Sequence, residues 1–210
     1  MHTKDDIRLI KVYDGLVFSF QVLSHNYQNL YNSCILIPNE NENLIRSFSK
    51  CWSIIDTTHR IREIAQSIPG LSKKNKILKD FLKSTSLAEE FRHYIQHLRR
   101  ELSNNLPNNY PVFGSLSWID KNDNSKCHTI ILGSQIGKQN YFSCIYDRIN
   151  DKWLSNVCLS INNSTFNFDP IYNEAMKFKE FILDWIEKTY NKDINKIKRY
   201  PIFTAQFKKQ

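Results

Sequence analysis

Residues 103–111 read SNNLPNNYP, and this stretch divides the chain into two kinds of sequence. Four Asn and two Pro in nine positions break regular structure, because Asn competes for backbone hydrogen bonds and Pro lacks an N–H. Upstream, apolar residues recur at spacings of three and four, the period of a helix. Downstream, short β-branched and aromatic runs alternate with turn-forming segments. The expected class is therefore α+β.

Upstream, three amphipathic helices are predicted. The first covers about 14–34, with Leu16, Phe20, Leu23, Tyr27, Leu30 and Cys34 on one face. Asp14-Gly15 in an apolar setting would equally suit a β-hairpin, which leaves the segment before Leu16 open. The second helix, about 40–68, starts after Pro38-Asn39 with Glu40 and Glu42 at the positive end of its dipole. It carries Ile45, Phe48, Trp52 and Ile55 and stops at Pro69-Gly70. The third, about 75–102, carries Leu87, Phe91, Tyr94, Ile95, Leu98 and Leu102 in one stripe, with a break allowed at Ser84-Thr85-Ser86.

Downstream, strands are expected at 112–119, 127–132, 141–148, 153–161 and 165–168, arranged as a small antiparallel meander. The separators DKNDNSK, GSQIGKQN, INDK and NNS are its turns. Asp169-Pro170 then opens a last helix over about 170–190, with Pro at the favoured first helical position. Residues 1–190 are expected to form a single domain, a four-helix bundle with the β segment at about 112–168 inserted before the last helix. Residues 191–210 form a basic C-terminal tail.

Composition excludes several classes. Among 210 residues, 41% hydrophobic content with only 5 Gly and 6 Pro rules out collagen-like and disordered chains. No apolar run approaches the roughly 20 residues of a membrane span, so no membrane association is expected. The opening MHTKDDIRLI places acids where a secretory leader carries basic and then apolar residues, which points to the cytoplasm. Five scattered cysteines without C-x-x-C spacing suggest reduced packing residues rather than a disulfide framework or structural zinc. The net charge of +8 suits a polyanionic partner such as RNA, although codon bias in an AT-rich genome also enriches Lys.

The third helix holds the polar constellation FRHYIQH at 91–97. At about 100° per residue, Arg92, His93, Gln96 and His97 fall opposite the apolar stripe, with Arg92 and His97 about 140° apart. Imidazoles titrate near neutral pH and move protons, while a guanidinium holds phosphate. One helix does not close Arg92 and His97 on a single phosphate, but two copies related by a two-fold axis would.

Arg92 and His97, with His93 directly after the Arg, resemble the R-x(4–6)-H motif of the HEPN superfamily. The stretch FRHYIQHLRREL, on the third helix of an expected four-helix bundle, is similar to that family in placement as well as spelling. The resemblance implies a small helical bundle that homodimerises to form a composite ribonuclease site, often in toxin–antitoxin, abortive-infection or CRISPR-associated systems. Arg92, His93 and His97 would be catalytic, with Tyr94, Gln96, Arg99 and Arg100 contacting RNA. No cofactor or metal is implied, and a cognate antitoxin or regulatory protein is the further expected partner. The superfamily also includes inactive members, so a non-catalytic module binding RNA, nucleotide or protein is the alternative.

Other chemistries are weaker. His93 and His97 at i and i+4 share a ridge suited to zinc, yet no H-E-x-x-H glutamate and no third ligand accompany them. Asp56, His59, Arg60 and Arg62 form a second polar cluster, read as a helix-surface ion pair or as support for the Arg92–His97 site. Gly114-Ser115 with Asp120 and Asp123 lacks nucleotidyltransferase spacing, and DKND reads as a turn. Lys73, Lys74, Lys76, Lys79 and Lys83 could track a phosphate backbone or simply be solvated. Trp118, Tyr141, Phe142, Tyr146 and Trp153 could stack bases or fill a core.

Overall fold

The computed structural model describes residues 4–37, 41–103, 111–132 and 141–190. The helix-start signals at Pro38, Asn39 and Glu40, most of the Asn/Pro divider, the GSQIGKQN turn and the basic tail lie outside the described residues. In chain order the elements are α1 (Lys4–Ile35), α2 (Asn41–Gln66), α3 (Lys76–Ser84), α4 (Leu87–Gln96) and α5 (Leu98–Ser103), then β1 (Ser115–Ile119), β2 (Cys127–Ile131), β3 (Tyr146–Asp147), β4 (Lys152–Trp153), β5 (Val157–Ile161), β6 (Ser164–Asn167) and α6 (Phe168–Tyr190). The class is α+β, as composition and patterning predict.

Helix α1 begins ten residues earlier than the sequence reading placed it, and no hairpin forms at Asp14-Gly15. Leu9, Val12, Tyr13, Leu16, Phe20 and Leu23 are all buried, so the apolar period runs unbroken through the glycine. Gly15 sits where α1 meets α2, and a Cβ there would lie 3.2 Å from Ile64 Cδ1. The close approach accounts for a glycine inside a helix better than a turn does. The two helices run antiparallel, Asn26 Nδ2 donating to Ser53 Oγ at 3.0 Å. Ile45, assigned above to the buried stripe of α2, is 62% exposed; Asn43, Ser47 and Phe48 take the inward side of this part of the helix.

The predicted third helix is three helices. Asn75 Oδ1 accepts from Leu78 N at 3.1 Å and caps α3. The break at Ser84–Ser86 is held from α2: the buried Arg62 donates to the Leu82 carbonyl, to Thr85 Oγ1 at 2.9 Å and to Glu89 Oε2 at 2.8 Å. Thr85 Oγ1 in turn donates to the Phe81 carbonyl at 2.7 Å. The carbonyls freed where α3 stops thus find donors. A second break falls at His97 (φ −107°, ψ 23°). Beyond it the apolar stripe that runs through Phe91 is interrupted, which is why Leu102 is 60% exposed rather than buried.

The sheet is not a simple meander. Its order is β2-β1-β5-β6, all neighbours antiparallel, while β3 and β4 pair in a separate two-stranded hairpin. Side chains alternate across β1 and β5. Leu116, Trp118, Val157, Leu159 and Ile161 join the helical core, whereas Ile119 and Cys158 face the other way onto Cys144, Cys127 and Trp153. That second face is partly hydroxylic, Ser117 Oγ lying 2.8 Å from Thr129 Oγ1. The segment at 141–148 pairs as a strand only at Tyr146–Asp147, and Ile145 and Ile149 remain exposed. It lacks the period-two apolar face that lets Val157–Ile161 dock between β1 and β6.

Strand β1 starts three residues later than expected because Gly114 adopts φ +87°. A Cβ at Gly114 would meet the Ser160 carbonyl at 2.6 Å. At the other end of the sheet, Asp169 Oδ2 accepts from Asn156 N at 3.0 Å and from Asn156 Nδ2 at 2.7 Å, tying the start of α6 to the entry of β5. No helix among the described residues is long and apolar enough to cross a membrane.

Candidate functional site

Helix α4 is held on its inner side by Ala88 and Phe91, both buried, and Phe91 packs edge-on against Phe166 of β6 at 5.5 Å. These anchors and the Arg62 clamp at its start fix which residues α4 turns outward. Arg92 is partly buried, His93, Gln96 and His97 are exposed, and Tyr94 lies half-buried.

Two clusters result. In the first, Arg92 Nε lies 3.2 Å from Asp56 Oδ1 of α2, and the same carboxylate holds Arg60 through Oδ2 at 2.6 Å. Two guanidiniums share one carboxylate, so the cluster retains positive charge. His59 lies within the field of Arg92. Burial lowers its pKa, and the Arg92 charge lowers it further against the opposing pull of Glu63. Its Nδ1 is buried without a hydrogen-bond partner. The second polar cluster noted on α2 is therefore continuous with Arg92 through Asp56, whereas Arg62 is diverted to the α3–α4 break.

In the second cluster, the His93 and His97 rings lie 4.2 Å apart between centroids and are inclined at 51°. Arg100 reaches back from α5 and donates to His93 Nε2 at 3.2 Å, while also lying 3.2 Å from Glu101 Oε1. For His93 to accept there, Nε2 must carry no proton. His97 occupies the C-cap of α4, its N–H donating to the His93 carbonyl at 3.0 Å. Arg99 is exposed. The Tyr94 hydroxyl donates to the Val112 carbonyl at 2.8 Å and so fixes the chain entering β1 rather than standing free at the surface.

A pocket of about 380 Å³ opens beside the first cluster. Its apolar walls include Trp52, Ile95 and Phe113, and Asp56, Arg92 and Gln96 supply its polar groups. Sequence reasoning placed Trp52 in the core stripe and gave Phe113 no part. Phe113 is 42% exposed, and only its position just past the Asn/Pro divider sets it apart in the sequence.

The remaining sequence candidates fall elsewhere. Asp120 and Asp123 shape the turn after β1: Asp120 Oδ1 accepts from the backbone N–H of Asn122 and Asp123, and Asp123 Oδ1 accepts from Ser125. His128 Nε2 lies 2.6 Å from Asp120 Oδ2, and this bond is the main reason the Asp120 pKa is lowered. Among the described residues, no group of three or more His, Cys, Asp or Glu is placed to hold a metal ion. All five cysteines are free thiols, and four are buried. The lysines at 73, 74, 76, 79 and 83 are exposed along the α2–α3 connection and α3. Trp118 lies on the core face of the sheet, while Tyr141, Phe142 and Tyr146 are exposed.

Chemically, the first cluster offers a restrained cation and the second offers two imidazoles on an open surface. The first can hold a phosphate and the second can exchange protons. Compared with known proteins, the chain matches no family model, no curated protein and no solved structure.

Proposed function

We propose that this chain is a HEPN-like, metal-independent endoribonuclease whose composite site forms when two copies pair through the outer face of α4. The observation that supports this reading best is the presentation of Arg92, His93 and His97 at a helix break, with Arg92 restrained by Asp56 and both imidazoles exposed. In this mechanism an RNA 2′-hydroxyl attacks the adjacent phosphorus, and the P–O5′ bond breaks to leave a 2′,3′-cyclic phosphate and a 5′-hydroxyl. His97 acts on the moving proton as general base or acid, with the partner copy's imidazole as its complement. Such catalysis is commonly worth about 10²- to 10⁴-fold. Arg92 offsets the charge that develops on the phosphoryl oxygens. His93 orients the substrate, held in turn by Arg100.

The proposed setting is cytoplasmic, as a toxin or anti-phage effector restrained by an antitoxin or regulatory protein. A non-catalytic module binding RNA, nucleotide or protein is the second reading, favoured by the Asp56 carboxylate already facing Arg92. Incubating the protein with single-stranded RNA in EDTA tests the choice. The enzyme reading expects cleavage that disappears in Arg92→Ala and His97→Ala. Cleavage that survives both substitutions refutes the assignment, and intact RNA at saturating protein favours the binding module.

A further inference from the structure

Of the side chains that line the pocket beside Asp56, only Arg92 has a part in holding phosphate, yet the pocket's composition is unlike a packing defect. At about 380 Å³ it lies near the lower end of the roughly 300–1,000 Å³ typical of small-molecule sites. That suits one ring system rather than a peptide or a helix. Two aromatic side chains from separate parts of the chain line it: Trp52 from α2, and Phe113 from the segment that Tyr94 pins through Val112. The polar groups are a carboxylate, an amide and a guanidinium, at Asp56, Gln96 and Arg92.

Asp56 and Arg92 already pair with each other, and a purely apolar occupant would leave the Gln96 amide, and any further bonding capacity of that pair, without use. A nucleobase uses every part of the set, since its faces stack on aromatic rings and its edge offers both donors and acceptors. Charge points the same way. A base arrives attached to a phosphate, and the Arg60–Asp56–Arg92 cluster at the pocket retains positive charge.

We infer that the Trp52–Phe113 pocket is a nucleobase subsite. It holds one unpaired base of an RNA strand while Arg92 engages the attached phosphate. The inference rests on the RNA-directed reading above and adds to it: the substrate is single-stranded at this position, because a paired base cannot enter. Phe113 stacks on the base, Gln96 and Asp56 meet its edge, and Arg92 joins subsite to scissile phosphate.

Titration calorimetry on the full chain tests it with adenosine 5′-monophosphate, uridine 5′-monophosphate and ribose 5-phosphate. The last carries the phosphate without a base. At least one nucleotide should bind about 5- to 150-fold more tightly than the sugar phosphate, the range expected for loss of one stacked base. Phe113→Ala and Gln96→Ala should each narrow that gap, and Arg92→Ala should weaken all ligands together. Phe113 and Gln96 are both exposed, and thermal melts of the variants verify folding. Equal affinities for all three ligands, absence of binding at millimolar concentration, or a gap unchanged in both variants overturns the subsite.

RNA cleavage assayed in parallel separates the two levels. Arg92-dependent cleavage with no preference for a base removes the pocket alone. A preference that depends on Phe113, alongside cleavage that ignores Arg92→Ala, removes the nuclease reading and leaves a nucleotide site.

Discussion

Substituting Arg62 with Met tests how α4 is held in place. Arg62 is 6% exposed and joins three acceptors across the α3–α4 break: the Leu82 carbonyl, Thr85 Oγ1 and Glu89 Oε2. Their contributions differ. Glu89 is 64% exposed, so solvent screens its ion pair to at most about 1 kcal/mol. Thr85 Oγ1 keeps its bond to the Phe81 carbonyl and is not orphaned by the change. The Leu82 carbonyl loses its donor, at about 1–3 kcal/mol for a buried unsatisfied group. Met fills most of the space of the aliphatic stem and removes a buried Nε that already lacks a partner, which offsets part of the loss.

The expected net destabilisation for Arg62→Met is about 1–3 kcal/mol. Urea unfolding followed by circular dichroism reads it as a midpoint lowered by about 1 M, at a slope of about 2 kcal/mol/M. Glu89→Gln should cost less, because the amide oxygen still accepts and the site is open to water. Hydrogen exchange should quicken first at Thr85 and Ser86, whose amides close the end of α3. An Arg62→Met protein as stable as the native chain, or one less affected than Glu89→Gln, would refute the assignment of the clamp to the Leu82 carbonyl.

Three further outcomes follow from the geometry. Gly114→Ala forces a side chain into φ +87° with a Cβ 2.6 Å from the Ser160 carbonyl; it should cost about 2–4 kcal/mol, and an unchanged melting temperature would exclude that conformation. His59 is held below its ordinary pKa of 6.5 by burial and by Arg92, so below pH 6.5 the unfolded chain binds a proton that the native state refuses. Stability should therefore fall from pH 6.5 toward the lowered native value, and His59→Gln should fall less over that window while matching the native profile at pH 8. Asp56→Asn removes the carboxylate shared by Arg60 and Arg92, and filter binding should show the salt dependence of single-stranded RNA affinity steepening by about 0.7 in log–log slope, as for one more phosphate contact; an unchanged slope would show that the charge freed at the Arg60–Arg92 cluster does not meet phosphate.

Much of the secondary structure was legible because burial imposes a period. Leu16 to Cys34, Phe48 to Ile55 and Phe178 to Ile186 repeat at helical spacing, and Val157-Leu159-Ile161 alternates with Cys158 and Ser160, the period of a strand, although β5 is buried on both faces. The misreadings fall where a local signal has a tertiary cause. Gly15 resembles a turn residue and is instead the point at which α2 approaches α1. Leu102 continues a stripe on paper, but the break at His97 carries it into solvent. The order β2-β1-β5-β6 rests on which strand matches the helical core, a comparison between segments distant in sequence.

The site divides in the same way. That His93, Gln96 and His97 stand on the outer side of one helix was determined by sequence, since positions within a few residues are related by helical geometry alone; Arg92, expected on the same side, is partly buried against α2. That Asp56 restrains Arg92, that Arg62 is drawn away to cap α3, and that Trp52 and Phe113 line one pocket was decided only by the tertiary structure. Those pairs lie dozens of residues apart, and no periodicity links them. What brings them together is the packing of α4 against α2 and the anchoring of the β1 entry by Tyr94.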